Sequence, residues 1–533
     1  MADAFAIRGF VLCLVATLGA ACEADLLGEL PGEGAVEGGV SGSGDEGRPG
    51  TDTQTGDDRS EGASGTSTQP PRVCDEPEPW PLPASRRTVG SGTATSCNAD
   101  ALRQAVAGGG FVTFACGDSP VSIRLSSAIR VTRPLVIDGA GAVTLDGGGT
   151  SQIFVVASNA SLSARNLRFI RGKAPPRTEA DGIGGAISGQ WRSKIEVRDC
   201  TFEDNTAGRG GGAVSVWTGS ALTVVGSRFL RNHSWYGGAI YSLLSPLQVV
   251  NSSFLDNVTL TDRGTGDGGA IGTDGASESP NDGVGGRIEI CGSTFRNNEA
   301  HGLGGAAYLW AYPPDQVVID RTTVEGNRVS KNGKGTSLGG GMRVSNGEIA
   351  IMASSFLANA SEVSGGALYL DCSPSCQITN STFYANRAGS YGGAIFGDKF
   401  RLANVTLAEN HAGGHGGALF GGSDWVMRNS VFVDNTAGNP WNQAYSCGST
   451  GRGDHVLQWQ HGSRSAGADR CIAQVVARDP LLSAPADHGG PTFTMLPGAS
   501  SGALGAGTDC EPVDQRGQSR GRAACDLGAV EIP

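Results

Sequence analysis

The feature that most constrains this chain is an asparagine that returns at a nearly fixed interval. Asn205, Asn232, Asn257, Asn298, Asn327, Asn359, Asn386, Asn410 and Asn435 lie 27, 25, 41, 29, 32, 27, 24 and 25 positions apart. A phenylalanine stands three residues before seven of them: Phe202, Phe229, Phe254, Phe295, Phe356, Phe383 and Phe432. Val324 and Leu407 take its place in the other two. Alternating with this pair is Gly-Gly-Ala plus an apolar residue, beginning at Gly184, Gly211, Gly237, Gly268, Gly304, Gly365, Gly392 and Gly416, with Gly340-Gly341-Met342 as a variant. Self-similarity at this period means a solenoid, each repeat being one coil stacked on the next. A glycine pair in every coil and short β-branched runs disfavour helix and suit strands broken by turns. About 25 residues accommodate three short strands and three turns. The expected fold is therefore all-β: a right-handed, single-stranded parallel β-helix of the kind that also houses pectate lyases, with strands pairing between coils and crossovers of the usual hand.

Each motif has a place in such a coil. The phenylalanines are expected to point inward and stack at the strand spacing of about 4.8 Å. The asparagine is expected at a turn, tolerating a left-handed conformation, bonding local backbone and forming an amide ladder up the stack. The glycine pair permits a tight bend. Phe-x-x-Asn alternating with Gly-Gly-Ala-[Ile/Leu/Val] resembles the repeats of the polymorphic outer membrane proteins, over roughly residues 165–435. That resemblance implies a β-helix exposed at a bacterial surface.

The rest of the chain divides around this body. Residues 1–21 read as a secretion signal, with Arg8 before an apolar core from Phe10 to Ala20 that is too short to span a membrane. Leu18-Gly19-Ala20-Ala21-Cys22 resembles a bacterial lipoprotein signal, with the leucine one place further from the cysteine than usual. The resemblance implies lipidation at Cys22 and membrane attachment through acyl chains; ordinary cleavage and release is the alternative. Residues 22–75 are a Gly/Ser/Thr/acidic stretch with too few apolar groups to offset ordering entropy, a tether in character. Nine acids against three arginines between Gly28 and Arg72 supply half of the net charge of −12. No run of Lys or Arg occurs, which excludes a nucleic-acid partner. Residues 90–164 are expected to hold a capping helix from Ala99 to Val106, ended by Gly108-Gly109-Gly110, and the first coils.

After residue 435 the rhythm stops. Asp479-Pro480-Leu481-Leu482, Asp487-His488-Gly489-Gly490-Pro491-Thr492, Asp514-Gln515-Arg516-Gly517 and Cys525-Asp526-Leu527-Gly528-Ala529-Val530-Glu531 follow in order. They resemble the C-terminal region of the "choice-of-anchor Q" bacterial surface proteins, which implies that residues 436–533 cap the β-helix. The membrane barrel that ends polymorphic outer membrane proteins has no counterpart here, which favours an N-terminal lipid anchor.

Thirteen cysteines in an exported chain point to disulfides rather than metal ligands. Proximity pairs Cys97 with Cys116, Cys372 with Cys376, Cys447 with Cys471 and Cys510 with Cys525, leaving Cys74, Cys200 and Cys291. Coils lengthen at 258–287, an acidic stretch containing Asp262, Asp267, Asp274, Glu278 and Asp282, and at 328–339, a basic one. An acidic loop of this kind can bind Ca²⁺, but it lacks the regular spacing of calcium loops, and no metal or cofactor is expected. Gly414-His415-Gly416 imitates a polygalacturonase motif without its carboxylate partners.

Strand alternation places Ile187, Val214, Ile240, Ile271, Leu368, Ile395 and Leu419 inside and the next residue of each coil outside. Tyr241, Tyr308, Tyr369, Phe396 and Phe420 fall on that outer line, with Trp217 and Trp310 two positions further on. These seven are the candidate ligand contacts, as platforms for a polysaccharide or a surface protein. The expected function is a non-catalytic, monomeric surface adhesion or scaffold protein. A polysaccharide lyase or hydrolase, and a passive envelope stalk, are the alternatives.

Overall fold

The structure, a computed structural model, describes residues 72–175, 182–260, 265–280, 283–374, 376–422, 424–438, 446–461, 470–521 and 524–533. The expected signal, Cys22, nearly all of the tether, Asp262 and Asp282 lie outside the described residues.

Strands of successive coils pair in parallel, giving sheets of 26, 11 and 9 strands. The chain is a parallel β-helix. A full coil has four strand segments rather than the three expected. In one coil these are Ala221–Val225, Arg228–Leu230, the short His233–Ser234 after the asparagine turn, and Ile240–Leu243 after the glycine pair. The first two both belong to the 26-stranded sheet, joined by a two-residue corner that turns on its first residue. That residue is left-handed in coil after coil: Asn166, Asp199, Gly226, Asn251, Gly292, Arg321, Ala353, Asn380, Asn404 and Asn429.

The inward phenylalanines stack as expected. Rings of Phe169, Phe202, Phe229, Phe254 and Phe295 follow one another at 4.7–4.8 Å and within 6° of parallel. Val324 and Leu407 fill the same column, fully buried.

The asparagines form an unbroken ladder. Each side-chain NH₂ donates to the Oδ1 of the next coil's asparagine at 2.9–3.0 Å, and that same Oδ1 accepts the backbone N–H. The second amide hydrogen goes to a carbonyl of the preceding coil, as from Asn327 to Phe295 at 3.0 Å. One expectation is corrected. The left-handed residue is the one before the asparagine (Asp204, Arg231, Asp256, Asn297, Gly326, Ala358, Ala385, Glu409, Asp434) and not the asparagine itself. Placing the amide inside the coil requires that reversal, and an L-residue held there costs about 1–2 kcal/mol.

The two glycines of each pair serve different ends. The first has positive φ, as at Gly304 (63°), and a Cβ there would lie 2.0 Å from the Ala307 carbonyl of its own coil, while a Cβ on the second would lie 2.0 Å from the next coil's carbonyl, as at Gly305 against Gly340. In the variant coil the pair is Gly339-Gly340, because Gly339 carries the positive φ and Gly341 stands where alanine usually does.

A second ladder went unseen in the sequence. Ser227, Ser252, Ser293, Thr322, Ser354, Ser381 and Ser430 follow the left-handed corner, each hydroxyl bonding the carbonyl two residues back. Most also accept an N–H from the preceding coil. Cys200 occupies this column: its thiol donates to the Arg198 carbonyl at 3.2 Å and its N–H donates to Ser227 Oγ. Burial pushes that thiol up to about 12. Cys200 is thus a serine substitute, the one free cysteine among the described residues. Cys200→Ser is expected to fold with an unchanged apparent Tm within about 1 kcal/mol of stability, and an alkylating probe should modify the native thiol only once denaturant is added. Labelling of the native protein within minutes would contradict that placement.

All four expected disulfides are formed, and a fifth joins Cys74 to Cys291 across 217 residues. Helix α1 (Ala99–Ala107), capped by the Asn98 side chain, buries Leu102, Ala105 and Val106 against the first strands.

Residues from Arg72 onward run along the outside of the left-handed corner as a strap. Asn251 donates to the Cys74 carbonyl at 2.9 Å and Arg321 to the Val73 carbonyl at 3.0 Å. Arg198 donates to the Pro77 carbonyl and Arg165 to that of Trp80. The C-terminal segment continues the same cover over later coils rather than only closing the end. Asn429 donates to Thr508 O, Asn380 to Val513 O, and Thr382 Oγ1 to Gln515 Oε1 at 2.7–2.9 Å. Buried Arg520 reaches Asn380 Oδ1 and the Gly528 carbonyl.

Candidate functional site

With the straps on the corner of the large sheet, the outer face of the 11-stranded sheet is where side chains not needed for stacking collect. Its central column is fixed by register: Ser188, Ser215, Tyr241, Gly272, Tyr308, Arg343, Tyr369, Phe396, Phe420. Trp310 lies two positions further along its strand, level with Asp274 and Ser345. Trp217 directly follows the strand Val214–Val216. A third column precedes the glycines and includes Tyr236, Asp267, Tyr391 and His415.

The structure brings the seven predicted aromatics onto one face but does not leave them free. Tyr241 is only 7% exposed. Its ring lies against Gly210 and faces the gap left by Gly272, and Tyr236 packs on it at 5.7 Å. Burial raises its hydroxyl well above the ordinary tyrosine range. Tyr241 is therefore withdrawn as a ligand contact: a ring beside two glycines fills the space their missing side chains leave.

Tyr308, Trp310, Tyr369, Phe396, Phe420 and Trp217 are half-buried. Tyr369 and Phe396 stack at 4.8 Å, so each occupies a face of the other. Phe420 packs on Tyr391 at 4.7 Å, and His415 joins that group at 6.1 Å from Phe420.

Arg343 was not anticipated. It replaces a ring in the middle of the column, and its guanidinium carbon lies 5.5, 5.9 and 5.3 Å from the ring centres of Tyr308, Trp310 and Tyr369. It also donates to Ser345 Oγ at 3.2 Å and Asp371 at 3.1 Å. Such cation–π contacts strengthen as water is excluded. Burial pushes the Tyr369 hydroxyl up to about 12, with the Asp371 charge adding to it. Asp274, also on this face, accepts from the Tyr312 hydroxyl at 2.8 Å and is held above the usual carboxylate range by burial. No sequence signal marked Arg343, because it falls in the coil whose glycine motif departs from the pattern.

Among the described residues, the acids of the 258–287 stretch do not converge. Asp274 bonds Tyr312, and Glu278 pairs with Arg192 at 2.8 Å. Among the described residues, the grouping with metal-ligand spacing is Cys74, Cys291 and Asp320, whose two sulfurs are already joined to each other.

One titrating contact fastens the C-terminal segment. The His461 ring lies 2.6 Å from an Asp434 oxygen and 3.1 Å from one of Asp479. The bond to Asp434, then the charges of both carboxylates, raise its pKa above 6.5. A raised folded pKa gives stability that is full below the unfolded value and is lost as pH rises through the folded one. Amides around Asp479 should therefore exchange faster, after correction for intrinsic rates, at pH 8.5 than at pH 6. His461→Gln should remove the difference.

The fold and the face together define a parallel β-helix with one aromatic, cation-bearing side. A Chlamydia polymorphic membrane protein repeat matches residues 199–216. No curated protein matches the chain. Among solved structures it is similar to PfbA, a surface adhesin of Streptococcus pneumoniae, at 11% identity and TM-score 0.36, over 78% of this chain and 99% of that one. It is also similar to the A-module of the Azotobacter vinelandii mannuronan C-5 epimerase AlgE6, at 14% identity and TM-score 0.26, over 72% and 95%.

Proposed function

We propose that this protein is a non-catalytic β-helix scaffold of the bacterial surface that holds a glycan or protein ligand along the outer face of its 11-stranded sheet. The carrying observation is the Arg343 cage: a desolvated cation set in register within a column of rings. The polymorphic membrane protein repeat supports a surface or outer-membrane location. Five disulfides fit an oxidising compartment. Cys22 is the proposed lipid attachment point, and the C-terminal segment with its choice-of-anchor Q-like signature is the proposed outer clamp. Mass spectrometry of the mature N-terminus tests the first; an unmodified start downstream of Cys22 removes it.

Lyase or hydrolase chemistry stands second because Asp371 and Asp274, two of the carboxylates on this face, are already engaged by Arg343 and Tyr312. The test is a glycan- and protein-array screen of the purified chain with product analysis. Binding without new reducing or unsaturated ends supports the scaffold. Cleavage supports the enzyme, and silence on both leaves a passive stalk. Arg343→Met should weaken ligand retention at least about tenfold, the effect of losing a central contact, while the far-ultraviolet spectrum stays that of a β-helix. Unchanged retention would remove the cage from the site.

A further inference from the structure

Beyond the aromatic column, a groove of about 470 Å³ opens where the 11-stranded sheet turns back toward the large one. That is within the roughly 300–1,000 Å³ of ligand sites. It is lined chiefly by Asn159, Ser161, Arg192, Lys194, Gly219 and Glu278. Its wall is built rather than incidental. Glu278 comes from the lengthened coil and accepts from Arg192 Nε at 2.8 Å. That coil is pinned by fully buried Asp315, which accepts N–H bonds from Ala276, Gly286 and Tyr312 at 2.7–3.0 Å. Gly219 keeps room for the pair, since a Cβ there would lie 2.9 Å from the Glu278 carboxylate.

Two exposed side chains stand in or beside the groove. The Lys194 ammonium has no ion-pair partner among the described residues. Trp191, next in the chain to Arg192 of the lining, accepts the N–H of the lining residue Asn159 on its carbonyl at 3.1 Å and is 48% exposed. Its indole is held parallel to Trp217 at 6.3 Å and 5°, and Trp217 is backed by Arg209 at 5.7 Å. A rigid indole kept half in water beside fixed donor and acceptor pairs matches the flat C–H face and ringed hydroxyls of a sugar. An unpaired ammonium adds selection for negative charge.

We infer that this groove is a saccharide site for an anionic sugar chain, with Trp191 as platform, the Arg192–Glu278 pair as hydroxyl partner and Lys194 as the anion contact. It rests on the reading of the chain as a ligand-binding surface protein, and it names the ligand class and its place. Trp191 belongs to neither repeating motif, so the sequence pattern did not single it out.

The test is calorimetry of the purified full chain with an oligogalacturonate, a sulfated dextran oligosaccharide and cellohexaose. One of the two anionic probes should bind at least about tenfold more tightly than cellohexaose. Which one does so separates a carboxylate ligand from a sulfate ligand. Trp191→Ala should weaken that binding about tenfold or more, and Lys194→Gln should abolish the preference over cellohexaose. If Trp191→Ala fails to fold, Trp191→Leu and the exposed Lys194→Gln carry the test, each checked by far-ultraviolet spectrum. The inference is overturned if neither anionic probe binds, or if both variants bind as the parent does. Loss on Arg343→Met with Trp191→Ala unaffected would place the saccharide on the sheet face, so that the groove falls and the functional reading stands. Binding of proteins but of no saccharide has the same meaning.

Discussion

Asn327→Leu is expected to lower stability by about 3–5 kcal/mol despite its similar volume. The site has no solvent exposure. The backbone N–H of Asn298 loses its 2.9 Å acceptor there, and the Asn298 amide and the Phe295 carbonyl each lose a bond. A stranded buried donor costs about 1–3 kcal/mol and each further lost bond about 1. Because repeat arrays need not unfold in one step, the measurement is hydrogen exchange resolved by coil. Protection should fall first at coils 298 to 359 and less at the ends. A uniform loss, or none, would mean that the ladder does not act locally.

The second large effect separates a glycine set by coil spacing from one set by conformation alone. Gly305→Ala sets a Cβ 2.0 Å from the Gly340 carbonyl and 2.7 Å from Arg328 backbone, none of which a rotamer change can move. Coils must part or shift there, at roughly 3 kcal/mol or more, the upper part of the overpacking range. Gly326→Asn meets only the positive-φ demand (65°) beside the Asn297 side chain, at a position that Asn297 itself fills one coil earlier, and asparagine tolerates it at about 1 kcal/mol. The expected order of denaturant midpoints is parent, Gly326→Asn, then Gly305→Ala far below. A reversed order would show that conformation rather than coil spacing sets the cost.

How much of this was legible follows from which contacts repeat. Phe202 and Asn205 are seen in the sequence because every coil needs them at the same place. The local disulfides are seen because their partners lie 4 to 24 residues apart. The serine ladder hides because serine is common in any glycine-rich chain, and Cys200 within it then looks like a leftover. Cys74 and Cys291 could not be paired without knowing that the strap doubles back along the coils. The outer aromatics were placed on the right face, but strand alternation gives direction and not company. Nothing in it says that Tyr241 would lie against Gly210, or that Arg343 would stand among three rings. Trp191 needed the turn geometry of one particular coil.

The Cys74–Cys291 bond has a mechanical consequence. A pull applied through residues before Cys74 enters the solenoid at Cys291, well along its length, instead of at helix α1. Residues 75–290 form a closed covalent loop outside that line of tension, so the early coils and the Trp191 groove stay unloaded. Only coils beyond Cys291 stand between an N-terminal tether and a load on the C-terminal segment. In flowing liquid the molecule would hang from its flank, its first coils slack and its later ones bearing the drag.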